Sequence, residues 1–306
     1  MTREKLQSIA DEFSDNSLLN YFGRQDEAGE TLEDNNYAKN NIFNRGTKLE
    51  QIYENDVGGL LGMRFYQRPI FSIGRADNPD FEKIKQPEVV GSHHLMPEDW
   101  LPGAKSVISF FLPFERAMVE LNKVSLDEPA LEWVCTRVDG QRFLLSLGAK
   151  IRDALIAEGY KAIAPYTEDK YIMHVNENIA PGTEHVPGYS TNWSERHVGV
   201  VTGLGTFGLS TNFISRVGSA GRLISIITDW ETTADVPDYT DWLGYCNRCG
   251  ACIRKCPGQA HFKDRHGKDH GKCGAFIRKA CEKFAPRYGC GKCQSGIPCE
   301  YKPMRP

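Results

Sequence analysis

Cysteine is nearly absent from the first 245 residues of this chain, and long apolar runs are absent throughout. Cys135 stands alone in that region, whereas nine further cysteines lie in the last 61 residues. No run of 18 apolar residues occurs, and the charged N-terminal residues lack the apolar stretch of a secretory signal. We therefore expect a soluble, cytoplasmic protein with no membrane partner. Because cytoplasmic thiols stay reduced and nine is an odd number, metal ligation is favoured over a disulfide framework.

The composition is that of a globular protein, with 40% hydrophobic and 25% charged residues in a chain of 306, which argues against disorder. Amphipathic helical patterns alternate with short apolar runs of the kind found in buried strands. The predicted helices cover residues 2–13 and 140–159, and the predicted strands cover residues 106–114, 161–165 and 222–229. This alternation predicts an α/β or α+β fold for residues 1–235.

The composition changes near residue 236, where regular periodicity gives way to a segment rich in Cys, Lys, Gly and Pro. We therefore predict two domains, an α/β or α+β domain over residues 1–235 and a cysteine-rich domain over residues 236–306. Residues 25–60 are polar and weakly patterned, so we expect a loop-rich or peripheral region there.

Positive charge is concentrated at the end of the chain. Residues 241–306 contain 14 Lys and Arg against 5 Asp and Glu, although the whole chain has a net charge of -3. A basic segment often binds nucleic acid. The alternative is local: clusters held by four thiolates are negatively charged, and nearby cations reduce the cost of burying them.

The run "YCNRCGACIRKCPG" has the cysteine spacing of bacterial ferredoxins, Cys-x2-Cys-x2-Cys-x3-Cys-Pro. Cysteines two residues apart can reach neighbouring irons of one cube, and in two-cluster proteins the fourth cysteine of such a run binds the other cluster. Zinc is the alternative, but four-cysteine zinc sites usually use two separated Cys-x2-Cys pairs. The run therefore favours two 4Fe-4S clusters.

Five cysteines follow the run, and a symmetric exchange of ligands needs four of them. Cys281 lies in "FIRKACEKF", which has a helical pattern and no second cysteine at ligand spacing, so it is treated as surplus. The predicted ligands are Cys246, Cys249, Cys252 and Cys299 for the first cluster, and Cys256, Cys273, Cys290 and Cys293 for the second.

Three histidines lie between the two cysteine groups, at His261, His266 and His270. They are candidates for a metal site, although solvated histidines in turns are the commoner case. The cobalamin-binding pattern Asp-x-His-x-x-Gly is not met, because Asp269 stands where the pattern after Asp264 and His266 requires glycine.

The stretch "SERHVGVVTGLGTFGLSTNFIS" contains Gly203-x-Gly205-x-x-Gly208. A dinucleotide-binding interpretation requires a preceding strand, a following helix and an acid about 20 residues further on. Ser, Thr, Asn and Gly interrupt the following segment, and the nearest acid, Asp229, lies within another apolar strand. The glycines do allow the backbone to approach a large flat ligand closely, with exposed amides as donors.

Four pieces together resemble the epoxyqueuosine reductase and reductive dehalogenase superfamily. They are "LPGAKSVISFFLPF", "GLGTFGLSTNFIS", "GSAGRLISIITD" and the cysteine run closed by "GCGKCQSGIPCE". They occur in the family's order and extend over most of residues 96–299. The resemblance implies a nitroreductase-like, corrinoid-binding first domain and a ferredoxin-like second domain. It also implies base-off cobalamin and two 4Fe-4S clusters that pass electrons to cobalt.

The resemblance further implies particular site residues. In epoxyqueuosine reductases an aspartate about 14 residues before the glycine motif is taken as the proton donor, and reductive dehalogenases use a tyrosine for this role. In this sequence Tyr189 lies 14 residues before Gly203 and is the candidate proton donor. The alternative is that Tyr189 is a packed or turn aromatic. The expected corrinoid contacts are Gly203, Leu204, Gly205, Thr206, Phe207, Gly208 and Asn212.

Two features depart from epoxyqueuosine reductases. Those enzymes usually close the last cysteine pair with Cys-x3-Cys-Pro, whereas five residues separate Cys293 from Cys299 here. They also commonly continue into a helical-repeat tail that helps hold tRNA, which the seven residues after Cys299 cannot supply.

The expected function is that of an oxidoreductase, a cobalamin-dependent iron–sulfur reductase acting on a small organic substrate. An external carrier such as a ferredoxin or a flavodoxin is the expected electron donor. Two alternatives stay open: an electron-transfer protein that reduces a partner such as a corrinoid protein, and a tRNA-modifying epoxyqueuosine reductase.

Overall fold

A computed structural model describes residues 1–14, 64–175, 189–264, 266–284 and 287–305. The helices are α1 (Arg3–Asp11), α2 (Asp80–Ile84), α3 (Pro97–Trp100), α4 (Arg116–Leu121), α5 (Leu131–Val138), α6 (Gln141–Ala157), α7 (Glu195–Val201), α8 (Ala251–Arg254) and α9 (His270–Phe284). The strands are β1 (Ile70–Arg75), β2 (Ser106–Pro113), β3 (Ala162–Ile163), β4 (Met173–Val175), β5 (Tyr189–Thr191), β6 (Gly205–Phe207), β7 (Phe213–Ser215) and β8 (Gly221–Thr228). Residues 25–60 lie outside the described residues.

The central sheet has four strands in the order β1-β2-β8-β3, and every neighbouring pair is antiparallel. In the middle of the sheet Ile108 of β2 pairs with Ile226 of β8. An antiparallel sheet combined with helices is an α+β architecture. The two-way prediction of α/β or α+β is thus confirmed in its α+β form.

The core forms where the predicted apolar runs meet. All eight residues of β2 are buried, as expected for a strand covered on both faces. Helix α6 packs against β8, and its Leu144, Leu147 and Ile151 are fully buried. Ile156, which the helical pattern also assigns to the apolar face, is 51% exposed because it lies at the last turn of α6.

The cysteine-rich segment is tied to the rest of the chain by backbone and side-chain hydrogen bonds. Asn122 Nδ2 donates to the carbonyl oxygen of Cys290 at 3.0 Å, and Lys292 Nζ donates to the carbonyl oxygen of Asn122 at 2.5 Å. The amide of Ser219 donates to the carbonyl oxygen of Cys299 at 2.9 Å. The division at residue 236 stays a prediction, and these contacts hold both of its sides together.

A buried ion pair joins the same two parts of the chain. Arg287 Nε donates to Asp139 Oδ2 at 2.6 Å, and the two side chains are only 2% and 10% exposed. Burial raises the pKa of Asp139, against the opposing effect of the Arg287 guanidinium. Cys135 is buried beside this pair, and burial followed by the nearby Asp139 raises the pKa of its thiol.

The helices of the described ranges are short or carry charged faces. None of them is long and apolar enough to cross a membrane.

Candidate metal centre

The cysteine run begins with two sharp turns. Arg248 and Gly250 adopt left-handed conformations, with φ of 57° and 71°, and α8 begins directly after Gly250. Glycine takes this conformation at no steric cost, whereas arginine does not. The two turns bring Cys246, Cys249 and Cys252 to the lining of one cavity.

Five cysteines line that cavity: Cys246, Cys249, Cys252, Cys293 and Cys299. The glycine-rich stretch forms another part of the lining and contributes Gly208, Leu209, Ser210, Asn212 and Ile214. Part of the predicted corrinoid segment therefore forms a wall of the cysteine cavity.

Cys246, Cys249, Cys252 and Cys299, the predicted ligands of the first cluster, are called the first set. Their thiols act on one another electrostatically. The pKa of Cys299 is raised to about 12, mainly by burial and in smaller part by the nearby thiols of Cys246, Cys252 and Cys249. Burial likewise raises the pKa of Cys252, with Cys293, Cys246 and Cys249 adding to the shift. Such thiols stay protonated until a metal replaces the protons, so metal binding at this cavity should release protons.

Cys256, Cys273, Cys290 and Cys293, the predicted ligands of the second cluster, are called the second set. Burial raises the pKa of Cys290 to about 12, and Cys293 and Cys273 contribute to the shift. Burial also raises the pKa of Cys273, which is affected by Cys293 and Cys256. Cys293 lies between the sets, because it lines the first cavity and also acts on the thiols of the second.

Hydrogen-bond donors act on the thiol of Cys256, the last cysteine of the run and a predicted ligand of the second cluster. Burial works to raise the pKa of Cys256, but hydrogen bonds from His261 and from the Ala260 amide lower it overall. The Ala260 amide lies 3.3 Å from Cys256 Sγ. His261 is buried, unlike the solvated turn histidine of the sequence interpretation, whereas His266 is exposed.

Two cysteines differ from the other eight. Burial raises the pKa of Cys281, and the next contribution comes from Glu282. The pKa of Cys135 is also raised, mainly by burial and secondly by the nearby Asp139. Among the remaining eight, the four predicted ligands of the first cluster share their cavity with Cys293, which is predicted for the second cluster. The assignment of all eight as ligands stays a prediction.

The donor chemistry of both sets fits an iron–sulfur cluster. Within the described ranges, no three His, Cys, Asp or Glu side chains meet at the position of a single metal ion. Thiolates of a 4Fe-4S cube bind separate irons, so their sulfurs surround a volume and need not meet at a point. A cavity lined by several thiols matches that requirement.

Four amides of the glycine-rich stretch, which was predicted to offer donors to a corrinoid, are bonded within the chain. The amides of Gly203, Leu204, Phe207 and Gly208 all donate to backbone carbonyls of the chain itself. A Cβ on Gly205 would lie 2.2 Å from the carbonyl oxygen of Ile214. The glycines therefore serve the β6–β7 hairpin. Because helix α7, instead of a strand, leads into Gly203, the dinucleotide-binding interpretation is removed as well.

Asn212 and Tyr189 complete the predicted site residues. Asn212 is buried, and its Nδ2 donates to the carbonyl oxygen of Cys293 at 2.7 Å, so it positions the cysteine segment. Tyr189 begins β5 and pairs with Val175; only its backbone is described. The assignment of Asn212 to the corrinoid site and that of Tyr189 as proton donor both stay predictions.

A buried carboxyl group was missed by the sequence interpretation. Neither carboxylate oxygen of Glu195, at the start of α7, has a hydrogen-bond partner of good geometry in the described part of the chain. Burial raises the pKa of Glu195 to about 8, and the neighbouring Ser225 opposes this only in part. A glutamate at the start of a helix usually marks a solvated first turn, so the pattern gave no sign of burial.

No family model and no curated protein matches this chain.

Several solved structures are similar to this chain. An epoxyqueuosine reductase has 18% identity, a TM-score of 0.45, and an alignment covering 78% of this chain and 65% of that one. The epoxyqueuosine reductase of Bacillus subtilis has 16% identity, a TM-score of 0.42, and coverage of 85% and 70%. A reductive dehalogenase described with B12-dependent dehalogenation has 15% identity, a TM-score of 0.40, and coverage of 68% and 27%. The chain thus spans just under two thirds of the first of these proteins.

These structures carry the names of the two enzyme groups in the sequence resemblance. The chemistry available to this chain is set by its own cysteines and their surroundings.

Proposed function

We propose that this chain is an iron–sulfur reductase whose C-terminal segment holds two 4Fe-4S clusters. The supporting observation is a single cavity lined by five of its ten cysteines. One of the five, Cys293, also acts electrostatically on the thiols of Cys256, Cys273 and Cys290. The proposed ligands are Cys246, Cys249, Cys252 and Cys299 for the first cluster, and Cys256, Cys273, Cys290 and Cys293 for the second.

The protein's own groups hold the thiols in place. When bound, the clusters would supply one-electron carriers. Asn122 and Asn212 donate to the carbonyl oxygens of Cys290 and Cys293, which fixes the backbone of the last cysteine pair. Because Cys293, a proposed ligand of the second cluster, lines the cavity of the first set, the two clusters would lie close to each other. A ferredoxin or a flavodoxin is the proposed external donor.

Four of the 14 basic residues in the C-terminal segment have clear partners within the chain. Arg287 pairs with Asp139, Lys283 with Glu128 and Arg305 with Asp238. Lys292 is buried, and its Nζ donates to the carbonyl oxygen of Ser125. These contacts give part of the basic segment a structural role within the chain.

Cobalamin in its base-off form is the proposed acceptor, with a small organic substrate beyond it and Tyr189 as proton donor. This acceptor is proposed from the sequence resemblance alone, because the amides of Gly203, Leu204, Phe207 and Gly208 donate to carbonyls of the chain itself. The contacts of the described residues support the clusters, not the acceptor.

Anaerobic reconstitution with iron and sulfide separates the two parts of this proposal. We expect about eight irons per chain for two clusters, with the broad visible absorption of iron–sulfur proteins. Adding cobalamin should then produce the spectrum of a base-off corrinoid that stays with the protein on gel filtration. Iron without corrinoid would contradict only the acceptor, whereas zinc in place of iron would contradict the clusters.

The internally bonded glycine segment favours one alternative, an electron-transfer protein that reduces a partner such as a corrinoid protein. A stoichiometric complex in an anaerobic pull-down, without turnover of small molecules, would support it. The tRNA-modifying alternative predicts tRNA binding that weakens steeply with salt, because phosphate contacts release counterions.

A further inference from the structure

Residues 301–305, called the strap, run back along the start of the cysteine run. The amide of Met304 donates to the carbonyl oxygen of Tyr245 at 2.8 Å, and Met304 forms a parallel β-bridge with Cys246. Met304 also lines the cysteine cavity, together with Ile297 and Pro298. Three apolar residues from the end of the chain therefore close part of the cavity that holds the first set.

The far end of the strap is fastened to the residue before Cys246. Arg305 forms an ion pair with Asp238, and its guanidinium carbon lies 4.9 Å from the centre of the Tyr245 ring. The Tyr245 hydroxyl donates to Asp238 Oδ1 at 2.5 Å, and the Tyr245 side chain is fully buried. Asp238 therefore connects the strap to the start of the cysteine run through two partners.

The near end of the strap is fastened to residues 1–235. The Tyr301 hydroxyl donates to Glu120 Oε1 at 2.8 Å, and the Ala220 amide donates to the carbonyl oxygen of Glu300 at 3.3 Å. A Cβ on Gly218 would lie 2.2 Å from that carbonyl oxygen, so the two backbones are in close contact. With both ends fixed, Met304 is held at the cavity between them.

An apolar cover changes the energetics of adding an electron to a cluster. Reduction makes the cluster more negative, and its potential depends on solvent exposure because water stabilises the added charge. A methionine side chain fills irregular space, and its sulfur is only a weak hydrogen-bond acceptor. Water in the place of that side chain would favour the reduced cluster.

We propose that Met304, held in place by the strap, caps the first cluster, keeps water away from it and thereby lowers its reduction potential. This inference rests on the proposed function, since it requires the first cluster to be bound. Of the second set, only Cys293 lines the cavity that Met304 closes. The effect should therefore fall mainly on the first cluster.

Redox titration of the reconstituted full chain, followed by electron paramagnetic resonance, tests the inference in Met304→Ala. The variant should retain wild-type iron, and the potential of the first cluster, whose signal is absent in Cys299→Ala, should rise. We expect about a tenfold higher ratio of reduced to oxidised cluster at a fixed potential, equivalent to about 59 mV for one electron. The second potential should change much less.

Water access is measured separately by electron spin-echo spectroscopy of the reduced first cluster in heavy water. The deuterium modulation should be deeper in Met304→Ala than in wild type. Met304→Leu keeps an apolar side chain of similar volume, so it should keep both the wild-type potential and the wild-type modulation.

Met96→Ala is the matched control, because it makes the same deletion away from the cavity. Met96 is partly buried against the main hydrophobic core and is not among the residues that line the cavity. Its removal should move neither potential.

Unchanged potentials in iron-loaded Met304→Ala would overturn the inference. A shift in Met304→Leu as large as that in Met304→Ala would also overturn it, as would equal shifts of both clusters. Loss of the first cluster in Met304→Ala would assign Met304 to assembly and overturn its role as a cap. A wild-type chain that binds no iron would instead overturn the proposed function itself.

Discussion

Replacing Arg287 by alanine is expected to lower the free energy of unfolding by about 3–5 kcal/mol, because the Asp139 carboxylate would be left buried without its partner. The guanidinium makes two contacts with that carboxylate, at 2.6 Å and 3.3 Å. The pair also links the segment before Cys290 to α5, so the second cysteine set should become easier to open in the variant. Urea unfolding monitored by circular dichroism measures the loss.

A double-mutant cycle separates the ion pair from general damage. Replacing Asp139 together with Arg287 should cost much less than the sum of the single changes, since neither charge is then stranded. Arg305→Ala is the exposed comparison, because Arg305 pairs with Asp238 at the surface, where such pairs contribute about 0–1 kcal/mol. Additive single effects at Arg287 and Asp139 would show that the pair is not coupled.

Glu195→Gln is expected to remove a pH dependence of stability. The pKa of Glu195 is raised to about 8 in the folded chain, from an ordinary value of 4.5. Between these two values the folded state binds more protons than the unfolded state, so stability falls as pH rises and levels off above pH 8. The total loss is on the order of 5 kcal/mol, and a neutral glutamine of the same shape avoids it.

Urea midpoints at pH 5 and pH 8.5 measure this difference under equal iron loading. The variant should match wild type at pH 5 and exceed it at pH 8.5. Glu282→Gln, on the last turns of α9, should leave the pH dependence unchanged. A wild-type slope that survives in Glu195→Gln would mean that another group carries it.

The main elements of the fold were predictable because their signals are local. Strand β2 coincides with a run of apolar residues. Helix α6 coincides with a segment whose apolar residues recur at the helical period and which ends before Gly159. Strand direction has no such local signal, since parallel and antiparallel neighbours can share the same apolar runs. The choice between α/β and α+β therefore required the pairing of β2 with β8.

Part of the candidate site was likewise predictable from local sequence, and part was not. Cysteine spacing predicts the two sets because ligand geometry restricts short spacings. The partners that position these cysteines are distant in sequence: Asn122 lies 168 residues from Cys290, and Asp139 lies 148 residues from Arg287. Only the folded chain brings such groups together.

The glycine motif shows how one pattern can serve two purposes. Glycines permit close approach of a ligand, but they equally permit close approach of another strand. In this chain Gly205 faces the backbone of Ile214 within the β6–β7 hairpin. The pattern alone does not distinguish the two cases.

The two-cluster arrangement is tested most directly by iron analysis and electron paramagnetic resonance of single cysteine variants after anaerobic reconstitution. Cys299→Ala should lose the first cluster and keep the signal of the second, and Cys290→Ala should do the reverse. Cys281→Ala should keep the full complement of about eight irons. Equal iron loss in Cys281→Ala and Cys290→Ala, or a wild-type chain that holds zinc and no iron, would contradict the account.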